Sequence, residues 1–260
     1  MTGNDRKGII LQDRDRHLLR ELAVMRVIDR EQAKVVAGFG STTRANARLL
    51  ALTNAGFLRR YFLGTVGGAR KSLYLMSEKA AELVGVPYRG PRRVSSQILA
   101  ADFFAMHQME INDVYCSVKY RPAADGRARL TRWESFYEPI APGAALIPDG
   151  YAEIATRERI IAAFLEVDRG NESRSVWRRK VDAYLAYALS GNFPQRFGQE
   201  RFRVMVVANS ESRVASLRRT TARVTERIFW FAARHALRQD GFWAAIWQRP
   251  TGDAREGFFE

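Results

Sequence analysis

An apolar run, Ile160-Ile161-Ala162-Ala163-Phe164-Leu165, ends in Glu166-Val167-Asp168. As a strand it has a side-chain period of two, which sends both carboxylates to one face. Burying two like charges there costs several kcal/mol unless a cation or strong hydrogen bonds offset it. Upstream, Ile147-Pro148-Asp149-Gly150 sets a third carboxylate on a tight turn. Downstream, a helix-patterned segment offers Glu172 and Lys180. Three acids and a lysine around one strand end are the chemistry of a divalent-metal site of nuclease type. The same residues admit an inert alternative. Pro148-Asp149-Gly150 is a good turn without any metal, and Arg169, Arg174, Arg178 or Arg179 could neutralise Glu166 and Asp168.

The elements around this strand end read as a mixed α/β domain over residues 95–260, with helices on both faces of a central sheet. A helix over 96–109 leads to a strand at 114–120, a polar turn at Asp125-Gly126, and strands at 132–139 and 146–154. After the acidic strand come a helix carrying Val176, Trp177, Val181, Tyr184 and Leu185, a buried strand at 203–208, a helix at 211–227 and a final strand at 228–231. Phe229-Trp230-Phe231, with Phe242, Trp243 and Trp247, reads as core rather than as a base-stacking platform. His17, His107 and His235 show no metal-ligand spacing.

Residues 1–85 follow a different pattern. Leu18, Leu22 and Met25 recur at helical spacing behind Asp13-Arg14-Asp15. Asp29 caps a second short helix to about Ala37, and Ser41 caps a third, whose stripe is Ala45, Leu49 and Leu52 and whose end is Ala55-Gly56. Strands over 57–63 and 72–76, joined by the tip Gly64-Thr65-Val66-Gly67-Gly68, complete three helices and a hairpin, the order of a winged helix-turn-helix. With its stripe inward, the third helix turns Thr43, Arg44 and Asn46 outward, with Arg48 at the flank. Arg44 and Asn46 suit guanine and adenine edges in a major groove. Arg59, Arg60, Arg70 and Lys71 on the hairpin suit phosphates. Residues 86–94, Val-Pro-Tyr-Arg-Gly-Pro-Arg-Arg-Val, read as a linker.

Bulk composition supports a polyanion partner. Among 260 residues, 42 Lys+Arg oppose 28 Asp+Glu, a net charge of +14, which favours salt-dependent binding to nucleic acid. A lone Cys116, expected to be a packed thiol, excludes an internal disulfide framework and a cysteine-rich zinc site. The first sixteen residues lack an apolar signal segment and no window approaches the ~18 apolar residues of a membrane span. The expectation is a cytoplasmic protein at bacterial nucleoid or plasmid DNA.

Helix, three strands, helix and strand, with one acid at the second strand and two at the third, resemble the PD-(D/E)XK nuclease superfamily. That resemblance implies that Asp149 and Glu166 hold Mg2+ (or Mn2+), with Asp168 as a further ligand or water-orienting base. The superfamily lysine normally stands two residues after the second acid. Asp168 occupies that place here, so Lys180 from the next helix takes the role, with Arg169 the other basic candidate. More narrowly, the whole chain resembles the replication-relaxation family of plasmids and mobile elements. The stretches that carry this are Leu11-Gln12-Asp13-Arg14-Asp15, Leu52-Thr53-Asn54-Ala55-Gly56-Phe57-Leu58-Arg59-Arg60, residues 107–114, Ile147-Pro148-Asp149-Gly150, and residues 164–170 with Glu172-Ser173 and Lys180. It implies a winged helix joined to a nuclease-like α/β domain.

Three readings follow. The first is a homodimeric double-stranded DNA-binding protein of plasmid or mobile-element type, acting in replication, mobilisation or transcriptional control. The second is an active Mg2+-dependent endonuclease aimed by the winged helix. The third is a scaffold whose winged helix contacts protein.

Overall fold

A computed structural model describes residues 9–64, 70–88, 98–123, 126, 128–143 and 146–259, with backbone alone at 98–101. The chain divides into two compact units, Met1–Cys116 and Ser117–Glu260. Among the described residues no helix is long and apolar enough to cross a membrane.

The first unit contains α1 (Asp13–Met25), β1 (Val27–Asp29), α2 (Arg30–Ala37), α3 (Thr42–Asn54), β2 (Leu58–Gly64), β3 (Arg70–Met76), α4 (Glu78–Val84) and most of α5 (Ile98–Tyr120). The expected caps act locally. Asp29 accepts from the Gln32 N–H (2.8 Å) and Ser41 from the Arg44 N–H (3.2 Å), each satisfying an orphan donor of a first turn. α3 stops as Gly56 enters the left-handed region (φ 79°) and the Phe57 N–H closes back on the Leu52 carbonyl (2.9 Å). Ala45, Leu49 and Leu52 are fully buried. β2 and β3 pair antiparallel, Leu58 opposite Met76, and the sheet order is β1-β3-β2. The hairpin tip at 65–69 lies outside the described residues.

Residues 114–120 are not a strand. They finish α5, which is one helix from Ile98 to Tyr120. Val114, Tyr115 and Val118 favour strands in isolation, but the last turns of α5 are buried nearly all round, so no helical stripe marks them. Polar side chains fix the helix to its unit. Asn112 donates to the carbonyls of Met25 (3.1 Å) and Val27 (2.5 Å), Gln32 to that of Met109 (2.8 Å), and the Tyr115 hydroxyl to Glu21 (2.6 Å). The division between units therefore follows Cys116, later than the linker read at 86–94, of which 89–94 lie outside the described residues.

The second unit is mixed α/β. It comprises β4 (Ala128–Glu134), β5 (Gly150–Thr156), β6 (Ile160–Asp168), α6 (Arg174–Leu189), α7 (Asn192–Phe197), β7 (Phe202–Ala208), α8 (Glu211–Ala222), β8 (Phe229–Ala233), α9 (Arg234–Asp240), β9 (Trp247–Gln248) and β10 (Arg255–Glu256). The sheet order is β10-β9-β8-β7-β6-β5-β4. β4, β5 and β6 pair antiparallel, whereas β6, β7 and β8 are parallel. Ala162 and Phe164 of β6, Val204 and Val206 of β7, and Phe229 and Phe231 of β8 join Trp177, Val181 and Tyr184 of α6 in one core. The reverse face is buried too, at Leu165, Met205 and Val207.

Several boundaries differ from the sequence reading. β4 lies earlier than the strand expected at 132–139, and β5 begins at Gly150 rather than 146. α8 stops at Ala222, and β8 is followed by α9, β9 and β10 instead of ending the fold. Asp125 of the expected turn lies outside the described residues. Phe229, Trp230, Phe231, Phe242 and Trp247 are buried, as a core role requires.

Candidate functional site

The period of β6 places Glu166 and Asp168 on the Phe164 side of the sheet, beside α6. Asp149 reaches the same strand end because Gly150 pairs with Leu165. Its own N–H donates to the Leu165 carbonyl (3.1 Å), and its Oδ2 accepts from the Val167 N–H (2.7 Å). Space is tight at Gly150: a Cβ there would stand 3.0 Å from Cζ2 of Trp133, and that ring would have to give way.

α6 supplies the partners for Glu166. Ser173 caps that helix by accepting from the Val176 N–H (3.3 Å), and Lys180 and Tyr184, four residues apart, share its inner face. Glu166 is 2% exposed. Its Oε1 accepts from the Tyr184 hydroxyl (2.6 Å) and its Oε2 from Lys180 Nζ (2.9 Å). Lys180 also bridges to Glu172 Oε1 (2.8 Å), while Glu172 Oε2 is buried without a hydrogen-bond partner among the described residues.

The electrostatics follow from this packing. Burial, then the Glu166 charge, holds the Asp149 carboxyl well above the usual carboxylate range. Burial alone would lower the Lys180 ammonium, but Glu166, Asp149 and Glu172 outweigh it and raise its pKa. Burial and then Glu166 push the Tyr184 phenol well up. Lys180 is thus a permanent cation and Tyr184 a permanent donor at neutral pH.

Asp168 leaves this group. Both its oxygens are taken by Arg213 of α8, from Nε to Oδ1 and from Nη2 to Oδ2, each at 2.7 Å, and Oδ1 also accepts from the Gly170 N–H (2.8 Å). Arg213 further donates to the Glu172 carbonyl (2.8 Å). Gly170 sits at φ 85°, and a Cβ there would meet Asn209 Nδ2 at 2.7 Å, so the turn out of β6 closes tightly against Asn209. Of the neutralising arginines considered from sequence, Arg178 pairs with Asp182 (3.1 Å) instead; the cations opposite Glu166 and Asp168 are Lys180 and Arg213.

The structure therefore brings Asp149, Glu166, Glu172 and Lys180 together and gives Asp168 to Arg213. Among the described residues no group of three His, Cys, Asp or Glu could hold a metal ion. These residues do not fit a three-carboxylate Mg2+ or Mn2+ centre, because protein cations and a phenol already occupy the Glu166 and Asp168 oxygens. Sequence reasoning missed Tyr184, although its spacing from Lys180 signals a shared face. It also missed Arg213, for which no local signal exists.

In the first unit, Thr43, Arg44 and Asn46 project from α3 into solvent above the buried stripe. Arg48 does not join them. Its guanidinium is bound to the fully buried Asp15 (Nε to Oδ1 2.9 Å) and to the Ile10 carbonyl (2.7 Å), which makes it a strut between α3 and α1. On the hairpin, Arg59, Arg60, Arg70 and Lys71 are exposed. The Arg59 guanidinium lies over the Tyr88 ring (5.7 Å) and that of Arg60 over Phe62 (4.6 Å), cation–π contacts on an exposed surface. Lys71 pairs with Asp29, the α2 cap.

A family model described as replication-relaxation matches residues 19–199. That stretch runs from within α1 through α7 and ends before β7. No curated protein and no solved structure matches the chain.

Proposed function

The chain belongs to the replication-relaxation family, with a role in plasmid or mobile-element replication or mobilisation, and from that premise we propose a double-stranded DNA-binding protein. In this reading the first unit is a winged helix that lays α3 in a major groove. Its second unit is a nuclease-like platform whose acidic end is closed by internal ion pairs. It works as a homodimer on plasmid or nucleoid DNA in the cytoplasm, in replication, mobilisation or transcriptional control. The observation that carries the reading is the solvent-facing set Thr43, Arg44 and Asn46, backed by fully buried Ala45, Leu49 and Leu52 and followed by exposed Arg59, Arg60 and Arg70.

Fluorescence anisotropy with duplex DNA tests it. Affinity is expected to fall steeply between about 50 and 200 mM salt. Arg44→Ala and Asn46→Ala should each cost about 1–3 kcal/mol on a preferred site and relax the base preference, whereas Arg60→Ala should weaken all sequences alike. Duplex affinity that ignores salt, or an Arg44→Ala variant that binds as the parent does, would sink the assignment.

The endonuclease reading has less support, because Glu166 is already paired with Lys180 and hydrogen-bonded by Tyr184, and Asp168 is paired with Arg213. Supercoiled plasmid incubated with Mg2+ or Mn2+ is expected to stay intact. Nicking that Glu166→Ala and Lys180→Ala both abolish would reinstate the enzyme.

A further inference from the structure

The buried stripe of α3, Ala45, Leu49 and Leu52, fixes which of its residues form the opposite crest. Thr43 and Leu50 stand seven residues apart, nearly two full turns, and Asn54 follows about one turn later. Ala47 lies beside this line, one turn after Thr43. All four are exposed, and Leu50 shows 46% of its surface. The crest therefore holds two apolar side chains and a threonine methyl, flanked by the polar, exposed Arg44 and Asn46. A single exposed leucine signifies little on a protein surface. This one continues a line of methyl groups along the outward face of α3.

The charge around the crest indicates what would cover it. α3 carries two arginines and no carboxylate, and Arg59, Arg60 and Arg70 stand exposed on the hairpin that follows. That balance suits a polyanionic occupant. A DNA major groove presents donors, acceptors and one apolar group, the C5-methyl of thymine. 5-Methylcytosine carries the same methyl at the same position. An apolar side chain at the crest has no other complement in that groove.

We infer that Leu50, with Ala47 and Thr43, is a specificity-determining contact for pyrimidine C5-methyl groups in duplex DNA. The inference rests on the reading of α3 as a major-groove helix and adds the base chemistry that this helix selects. Thymine is the principal source. A·T pairs supply both the adenine edge that suits Asn46 and the methyl that suits Leu50. Burial of each methyl against Leu50 removes apolar surface of both partners from water, so the contact discriminates without a hydrogen bond.

Fluorescence anisotropy of the full chain, on a duplex that it selects from a random-sequence pool, provides the test. Each thymine of that duplex is replaced in turn by deoxyuridine, which removes the methyl and keeps every base-pair hydrogen bond. At one or more positions the replacement should weaken binding about fourfold, the burial of one methyl expressed as a ratio of Kd. Leu50→Ala should bind the thymine duplex about tenfold more weakly and bind the two duplexes alike at that position. Alanine favours a helix, and thermal melts establish that the variant folds. A second arm methylates the cytosines of the same duplex at C5. Weakening by deoxyuridine identifies thymine as the source, and a gain on cytosine methylation alone identifies 5-methylcytosine; either supports the contact where Leu50→Ala removes it. A duplex insensitive to both changes, or a methyl effect that Leu50→Ala leaves intact, overturns it. So does a Leu50→Ala variant that keeps the methyl effect but loses self-association in sedimentation, which assigns the crest to a second copy of the chain. Salt-dependent affinity in the same titrations reports duplex binding by itself, so the DNA-binding reading stands or falls separately from this contact.

Discussion

A buried carboxylate must be neutralised by a proton, a metal or a protein cation, and the three acids at the end of β6 divide among these. Asp168 is closed by Arg213 in a bidentate pair. Removing one partner strands a buried charge, so Arg213→Ala should destabilise the protein by about 3–5 kcal/mol. Adding Asp168→Ala should recover part of that loss, a coupling that urea denaturation of the four-member cycle measures. A cost below about 1 kcal/mol for Arg213→Ala would mean that the pair is not closed in solution. Asp149 takes the other course. Burial and Glu166 raise its pKa above the unfolded value. A raised carboxyl pKa favours folding fully below the unfolded value, and this contribution is lost as pH rises through the folded value. Asp149→Asn retains an acceptor for the Val167 N–H and removes that loss. The variant should match the parent in acid and exceed it at neutral pH, by about 1.4 kcal/mol for each tenfold difference in proton affinity. Unfolding midpoints across pH read the difference; a neutral-pH stability below that of the parent would contradict it. The i,i+2 acids, the turn aspartate and Lys180 were legible from spacing alone. Arg213 was not, because it approaches Asp168 only through the packing of α8, 45 residues on.

At the scale of elements, legibility followed local signals. α3 announced itself by the Ser41 cap, the Ala45-Leu49-Leu52 stripe and Gly56, and the structure has each in place. α5 gave no such signals, since its last turns carry strand-forming residues and are buried nearly all round. Its identity is fixed by tertiary bonds instead, foremost those of Asn112, which satisfies the Met25 and Val27 carbonyls where α1 gives way to β1. Asn112→Leu, close in volume, leaves both carbonyls without that donor. A loss of about 2–3 kcal/mol is expected, read by thermal or denaturant unfolding. A variant as stable as the parent would show that α5 is held by apolar packing alone.

For the whole molecule, the net charge of +14 is distributed unevenly in purpose. Some arginines are internal struts, such as Arg48 and Arg213, and others face water, such as Arg44, Arg59 and Arg60. Composition could establish the excess but not this partition, which depends on where Asp15 and Asp168 are buried. The sheet has a comparable division between near and distant partners. β6 joins β5, immediately before it, and β7, which begins 34 residues after β6 ends. A chain cut after residue 199 keeps the first partner and loses the second. The unpaired flank of β6, a strand buried at eight of its nine residues, would then be open to any passing copy. Such rows of free N–H and C=O groups template intermolecular pairing. The 1–199 fragment should therefore pellet as thioflavin-binding aggregate while the full chain stays in the supernatant, and a monodisperse fragment would show that β6 needs no sealing by β7.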